Sequence, residues 1–275
     1  MSELKYVSSK GEEVELDGPL SYVGVGSAIR ANVWDYDISG HNVKNIARKA
    51  REVSSPLSTT REEMDRIKQI FDYDFGNNMP GKLVSNGWEQ RALIGGDELD
   101  WVFANNCAAE IPIILLDGVW RKLEEISLFP ASGDANGTKI YPYEYGYYYA
   151  SEYGARYINI SDINPVDFRM VIYGYAVSPQ VVIGENLYHF DLVIPAGGYL
   201  LVDSRPNPTV TLVTAEGVKT DEFKKADRGA GEGSGNYAFE KLKPGSNSIR
   251  WNDTFGLDLG IYHETGGLPY ESGNS

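Results

Sequence analysis

Short apolar runs bounded by turn signals fill the first part of the chain, clean period-two alternation fills the last part, and one segment departs from both with a helical repeat. In the first third, short runs such as Ala28 to Ile38 are bounded by turn signals at Asp17-Gly18-Pro19 and Ser39-Gly40-His41-Asn42, which predicts strands. After Pro56, the hydroxyls of Ser58, Thr59 and Thr60 precede Glu62 and Glu63, so Thr59 with Glu62 or Thr60 with Glu63 fits a capping box. Met64, Ile67, Phe71 and Phe75 then recur at spacings of three and four. The spacing predicts a helix over about 59–75 that packs by this face and ends before Pro80. Strands are expected again at Trp88 to Ile94, Ala108 to Leu116 and Gly118 to Phe129, giving a first domain, 1–130, that is mainly β with one packed helix.

Beyond Tyr157 the alternation is clean: Val166, Phe168, Met170 and Ile172, then Phe190, Leu192 and Ile194, then Leu257, Leu259 and Ile261. Turn chemistry at Pro195 to Gly198, Ala215 to Gly217 and Lys243 to Asn247 separates these runs at the intervals of an antiparallel sandwich, expected over 158–275. Lys224 to Asn236, rich in glycine and charge, reads as a mobile loop. Residues 131–157 are turn-rich and then tyrosine-rich, with eight of the nineteen tyrosines between 141 and 157, and form the expected linker.

Composition excludes several classes. The chain has 275 residues, long enough for two cores, and its single Cys107 removes disulfide scaffolds and cysteine-rich zinc modules. The start of the sequence has no apolar signal segment, and the longest aliphatic stretch, Ile113 to Leu116, is far too short to span a membrane, so the reading is a soluble protein with no membrane association. The net charge of -14 is shared: 21 acids against 14 bases in 1–130 (-7), 15 against 9 in 158–275 (-6), and 3 against 2 in the linker (-1). Neither part is basic, which argues against a nucleic-acid partner. The local cluster Lys44, Arg48, Lys49 and Arg51 carries no interleaved stacking aromatics and reads as a solvated face or the rim of a subunit contact, with Lys44, Arg48 and Arg51 as interface candidates.

Catalytic chemistry is sparse. His41, His189 and His263 share no metal-ligand spacing, nothing resembles a nucleophile elbow, and Gly24-Val25-Gly26 lacks the third glycine of a dinucleotide fingerprint. Asp97 to Asp100 and Asp134 to Gly137 lack the full ligand series of a calcium loop. No catalytic residue, metal or cofactor is therefore assigned, although a pair of carboxylates recognisable only in space remains open. The tyrosines of the linker, Tyr143, Tyr145, Tyr147, Tyr149 and Tyr153, combine a large apolar face with a polar tip. They suit sugar stacking, a protein interface, or simple packing of the linker onto its own domains.

The segment Ile70-Phe-Asp-Tyr-Asp-Phe-Gly-Asn-Asn-Met-Pro-Gly-Lys-Leu83, followed by the strand Trp88 to Ile94, resembles the N-terminal module of the distal tail (Dit) proteins of long-tailed phages, or prophages, of Gram-positive bacteria. Val171 to Gly174, Pro179 to Ile183, Pro195 to Asp203, Phe239, Leu242, Pro244 to Asn247 and Trp251 resemble that family's C-terminal module, and Tyr141-Pro-Tyr-Glu-Tyr145 its linker. The likeness spans nearly the whole chain through the order and spacing of short motifs. The end departs from it: relatives commonly close on an Arg-Ser-x-Pro-x-Trp-like tail, where this chain has His263-Glu-Thr-Gly-Gly-Leu-Pro-Tyr270.

The resemblance implies a mainly β protein: an N-terminal β-sandwich with one α-helix that forms a hexameric ring, and an outward C-terminal galectin-like antiparallel β-sandwich. It implies a structural, non-enzymatic baseplate hub at the virion tail tip, made in the bacterial host cytoplasm. Its expected partners are copies of itself, the tail tube protein, the tail-tip protein and receptor-binding proteins. Two other classes stay open: a carbohydrate-binding host-recognition module, and an enzyme that degrades cell-wall polysaccharide.

Overall fold

The computed structural model describes residues 4–17, 22–23, 27–96, 98–128, 156–252 and 254–269. The chain forms two compact units, Met1–Lys122 with Glu264–Ser275, and Leu123–His263. The first division therefore falls at 122, not at 130, and the C-terminal segment belongs with the first unit, where sequence reading grouped it with the second. The reason is packing: Leu268 is buried in the core of the first unit. Almost all of the expected linker, including Tyr143, Tyr145, Tyr147, Tyr149 and Tyr153, lies outside the described residues.

The first unit contains β1 (Leu4–Val7), β2 (Glu13–Glu15), β3 (Tyr22–Val23), α1 (Ser27–Arg30), β4 (Asp35–Ser39), β5 (Asn42–Ala47), β6 (Arg51–Thr60) and α2 (Arg61–Gly76). It continues with β7 (Gly81–Ser85), β8 (Trp88–Ile94), β9 (Glu98–Phe103), β10 (Asn106–Leu115) and the start of β11 (Trp120–Leu128). Strands β2, β1, β7 and β8 form an antiparallel array; β8 also pairs with β10, and β10 pairs with β6 and β9. Alternation drives this arrangement: Val53, Ser55, Leu57 and Thr59 of β6 point inward, as do Cys107, Ala109, Ile111, Ile113 and Leu115 of β10. Cys107 is the small buried hydrophobe that its isolation suggested.

The helix starts where the hydroxyls predicted, and Thr60 is its cap: the Glu63 amide donates to Thr60 Oγ1 at 3.3 Å. Its buried face is Met64, Ile67, Ile70, Phe71 and Asp74, while Phe75 is exposed. The expected last position of the apolar face is thus displaced by an acid, because Asp74 accepts hydrogen bonds from Tyr6 Oη at 2.8 Å and from the Ser9 amide. Burial of Met64, Ile67 and Phe71 contributes about 1.5–3 kcal/mol each. Ala28 to Ile38 is not one strand: residues 27–30 form the short α1, and only 35–39 are extended.

The second unit holds β12 (Tyr157–Ile160), β13 (Phe168–Tyr173), β14 (Ala176–Val177), β15 (Gln180–Ile183), β16 (Asn186–His189) and β17 (Val193–Ile194). It is completed by β18 (Tyr199–Asp203), β19 (Thr209–Val213), β20 (Lys219–Asp221), β21 (Gly245–Trp251) and most of β22 (Gly256–Thr265). One sheet runs β22-β13-β18-β19-β20 and the other β12-β21-β15-β16. Their inward residues, among them Phe168, Met170, Ile172, Tyr188, Phe190, Leu257, Leu259 and Ile261, share one core, which defines a β-sandwich. The protein is mainly β, as the alternation predicted.

The glycine-rich stretch 224–236, expected to be mobile, is tied down along its length. Leu187 N donates to Gly235 O, Ala238 N to Asp227 O, and Gly233 N to Glu240 Oε2 at 2.7 Å. Its glycines serve geometry: Gly229, Gly231, Gly233 and Gly235 all have positive φ, and a Cβ on Gly229 would lie 2.0 Å from Asn236 Oδ1.

Candidate assembly interface

Among the described residues, strands β4 and β5 pair only with each other, as a two-stranded hairpin whose residues are almost all exposed. Ile38 pairs with Val43 and Asp37 with Lys44; the register then shifts, so that Asp35 pairs with Ala47 and Tyr36 faces both Asn45 and Ile46. This β-bulge, with Asn45 at φ 52°, re-aims the strand and sets Ile46 on the face of Tyr36, Ile38 and Val43. The opposite face is charged: Asn45 donates to Asp37 at 2.6 Å, and Lys49 pairs with Asp35. The hairpin is amphipathic, yet its apolar side is open, with Ile38 71% and Ile46 58% exposed. Single exposed apolar residues are ordinary, but four on one face of one hairpin, with Trp34 at its entrance, form an open apolar patch. A two-stranded hairpin is also marginal in water unless it packs on something.

The base of the hairpin is braced. Arg48 lies over the Trp34 ring at 4.0 Å and donates to Asn32 Oδ1 at 2.5 Å, and Arg51 donates to Ala31 O at 2.9 Å. Burial lowers the pKa of both guanidinium groups from the ordinary arginine value. The C-terminal segment closes against the same place. Arg30 donates to Pro269 O at 2.5 Å, and the backbone of Gly267 runs so close to Arg30 O that a Cβ there would lie 2.1 Å from it.

Of the three cationic residues singled out from the sequence, Lys44 stands exposed on the charged face of β5, whereas Arg48 and Arg51 hold the hairpin to residues 31–34. Sequence reading missed Tyr36, Ile38, Val43 and Ile46. The period-two pattern of Trp34, Tyr36 and Ile38 was a visible signal, but it marks a strand without telling whether its apolar face is covered.

The first unit exposes a second apolar surface at the β9–β10 turn, where Trp101, Val102 and Phe103 are all open and Phe103 is 76% exposed. Near the end of α2, Tyr73, Phe75 and Met79 are exposed as well.

No group of three or more His, Cys, Asp or Glu side chains among the described residues is arranged to hold a metal. His263 is engaged on both ring nitrogens, Nδ1 with Asp162 at 2.6 Å and Nε2 with Glu124 at 2.8 Å. His189 lies 3.8 Å from Asp227, and His41 sits in the exposed hairpin turn. No helix among the described residues is long and apolar enough to cross a membrane.

The fold is that of phage baseplate and hub chains. A chain of the phage P2 baseplate in its activated conformation with Ca superposes with a TM-score of 0.59 at 13% identity, over 97% of this chain and 99% of that one. A chain of the p2 baseplate with Sr gives 0.58 at 13% identity, over 98% and 100%. The Dit protein of phage SPP1, described as a paradigm of the hub adsorption apparatus in phages that infect Gram-positive bacteria, gives 0.55 at 8% identity, over 96% and 99%. No family model and no curated protein sequence matches the chain.

Proposed function

We propose that the protein is a Dit-like structural hub of a phage tail tip, closing into a ring that joins the tail tube to the tip and receptor-binding components. The observation that carries this reading is the open apolar face of the β4–β5 hairpin. Ring closure uses heterologous contacts, in which two different patches of one subunit meet on neighbours. The hairpin and the Trp101–Phe103 end of β9 are two such patches in the first unit. Full-length likeness to baseplate and hub chains supports the same role, and the hexameric count comes from the resemblance of the sequence to the Dit family.

Electrostatics agrees with apolar closure. Each copy carries a net charge of -14, so neighbours repel at long range and need apolar or locally complementary contacts to associate. In this reading the first unit forms the ring, the second faces outward, and the protein works at the virion tail tip after synthesis in the host cytoplasm. The role is structural rather than enzymatic. The decisive experiment compares the mass in solution of the full chain with that of an Ile38→Ser, Val43→Ser, Ile46→Ser variant: an assembly that falls to monomers with its circular dichroism unchanged supports the reading, and an assembly that survives the three changes refutes the hairpin as its contact.

A further inference from the structure

His263, near the end of β22, lies between two carboxylates of the second unit: Nδ1 is 2.6 Å from Asp162 Oδ2, and Nε2 is 2.8 Å from Glu124 Oε2. The ring sits at the end of the sandwich core. By the period of two, it shares a face of β22 with Leu257, Leu259 and Ile261. Glu124 shares a face of β11 with Ile126 and Leu128, which pack on the same core. Asp162 comes from the other sheet, two residues after the buried Ile160 of β12. One imidazole therefore joins β11, β22 and the loop after β12.

An ionised carboxylate only accepts hydrogen bonds, and a neutral imidazole carries a single N–H. Both contacts are hydrogen bonds only when the ring is the imidazolium, with an N–H on each side. Without its proton, one ring nitrogen presents a lone pair to a carboxylate, and two negative groups flank an uncharged ring. Exposure decides which contact gives way: the Asp162 side chain is 17% exposed and that of Glu124 58%. The neutral ring keeps its N–H on Asp162, and Glu124, which water solvates readily, turns away.

The neighbouring charges have partners of their own. Glu125 of β11 pairs with Arg169 of β13, and Glu264 of β22 with Arg121 of β11, all on the face opposite His263. Asp167, at the start of β13, pairs with Lys241 at 3.2 Å. Lys122, two residues before Glu124, extends over Gly87, its Cε 3.5 Å from the Cβ position there.

We infer that His263 is a proton-operated clasp: charged, it holds β11 and the loop after β12 on β22, and on losing its proton it releases β11. Histidine ordinarily changes charge between about pH 5 and 8, so the clasp works in the range that a particle meets in its surroundings. Its three residues lie in the second unit, so the inference stands apart from ring closure.

Hydrogen–deuterium exchange of the full chain, read by mass spectrometry, tests it at about pH 5.5 and about pH 8, values that span histidine titration and lie above that of carboxylates. After correction for intrinsic rates, amides 123–127 are expected to exchange about tenfold faster at the higher pH, the effect of losing one charge-assisted hydrogen bond, while β18 and β19 do not change. Exchange at the imidazole C2 position, read separately for His41, His189 and His263, is expected to place proton loss at His263 at the same pH as the release. His263→Gln is expected to remove the pH response. Glu124→Gln, whose amide donates to the neutral ring, is expected to keep β11 attached at both values while His263 still titrates. Exchange of β11 that ignores pH in the native chain, or a response that persists in either variant, would overturn the inference.

Discussion

Ile38 stands directly across the hairpin from Val43, and both side chains are exposed. Cross-strand apolar pairs stabilise a hairpin by only about 0.2–1 kcal/mol, so this pair contributes little to folding while it stays open to water. Its contribution would be larger if a neighbouring copy covered it, at about 25 cal/mol per Å² buried. Ile38→Asp is therefore expected to abolish self-association while changing unfolding free energy by less than about 0.5 kcal/mol. Size-exclusion chromatography with light scattering, run beside a urea titration, reads both effects; a parallel loss of stability would place Ile38 in the subunit's own core.

Tyr6 ties β1 to α2 through Asp74, a residue 68 positions away. Tyr6→Phe leaves Asp74 with its Ser9 partners and is expected to cost about 1.5–3 kcal/mol, as for a hydrogen bond to a charged group. Asp74→Ala is expected to cost more, since it strands the buried Tyr6 hydroxyl and the Ser9 amide together. Denaturant midpoints of the two variants check the order.

Three buried tyrosines set an alkaline limit. Burial raises the pKa of Tyr6, Tyr188 and Tyr262, reinforced by Asp74 at Tyr6, Glu240 at Tyr188 and Asp203 at Tyr262. A folded value above the unfolded value of about 10 means that the folded state holds the proton more tightly. This stability is fully present below pH 10 and is lost as the pH climbs above it. At Asp203, burial works to raise the pKa, but bonds from Arg205 and Tyr262 outweigh it and lower the value. That contribution is present above the unfolded value of 3.8 and is lost as the pH falls through the lower folded one. Thermal midpoints measured across pH are expected to decline at both ends, with Tyr6→Phe and Tyr262→Phe flattening the alkaline limb.

The C-terminal segment is expected to control the hairpin from below. Gly267→Val places a side chain against the Arg30 carbonyl, which is backbone and cannot swing away. The expected outcome is a loss of about 1–3 kcal/mol together with weakened assembly, because the same segment anchors Arg30 beside the residues that brace Arg48 and Arg51. Fluorescence of Trp34, beneath the Arg48 guanidinium, reports the displacement. An unchanged spectrum with unchanged assembly would contradict this role for the tail.

Much of this protein is written in short-range signals. The capping hydroxyls and the three-and-four spacing locate α2, and period-two alternation locates β8, β10 and β13, because local pattern and burial agree there. Phe75 and Asp74 exchange roles for a reason that no local pattern contains, the arrival of Tyr6 and Ser9 from β1 and the turn after it. The glycines of 229–235 suggest mobility by composition, whereas their positive φ angles build a fixed strap. The exposed apolar face of the hairpin was legible only in part: the basic cluster lies beside it in sequence, but whether a strand's apolar face is covered depends on which strands pair. Leu268 illustrates the same limit, since only the folded chain shows a C-terminal residue completing the core of the first unit.

Closure of a ring by copies of this chain through the first unit is visible to negative-stain imaging of the purified full chain combined with mass photometry. Closed rings of six copies that disperse to single subunits when Ile38 becomes Asp are expected. A purely monomeric protein, both in solution and at the tail tips of assembled particles, would contradict it.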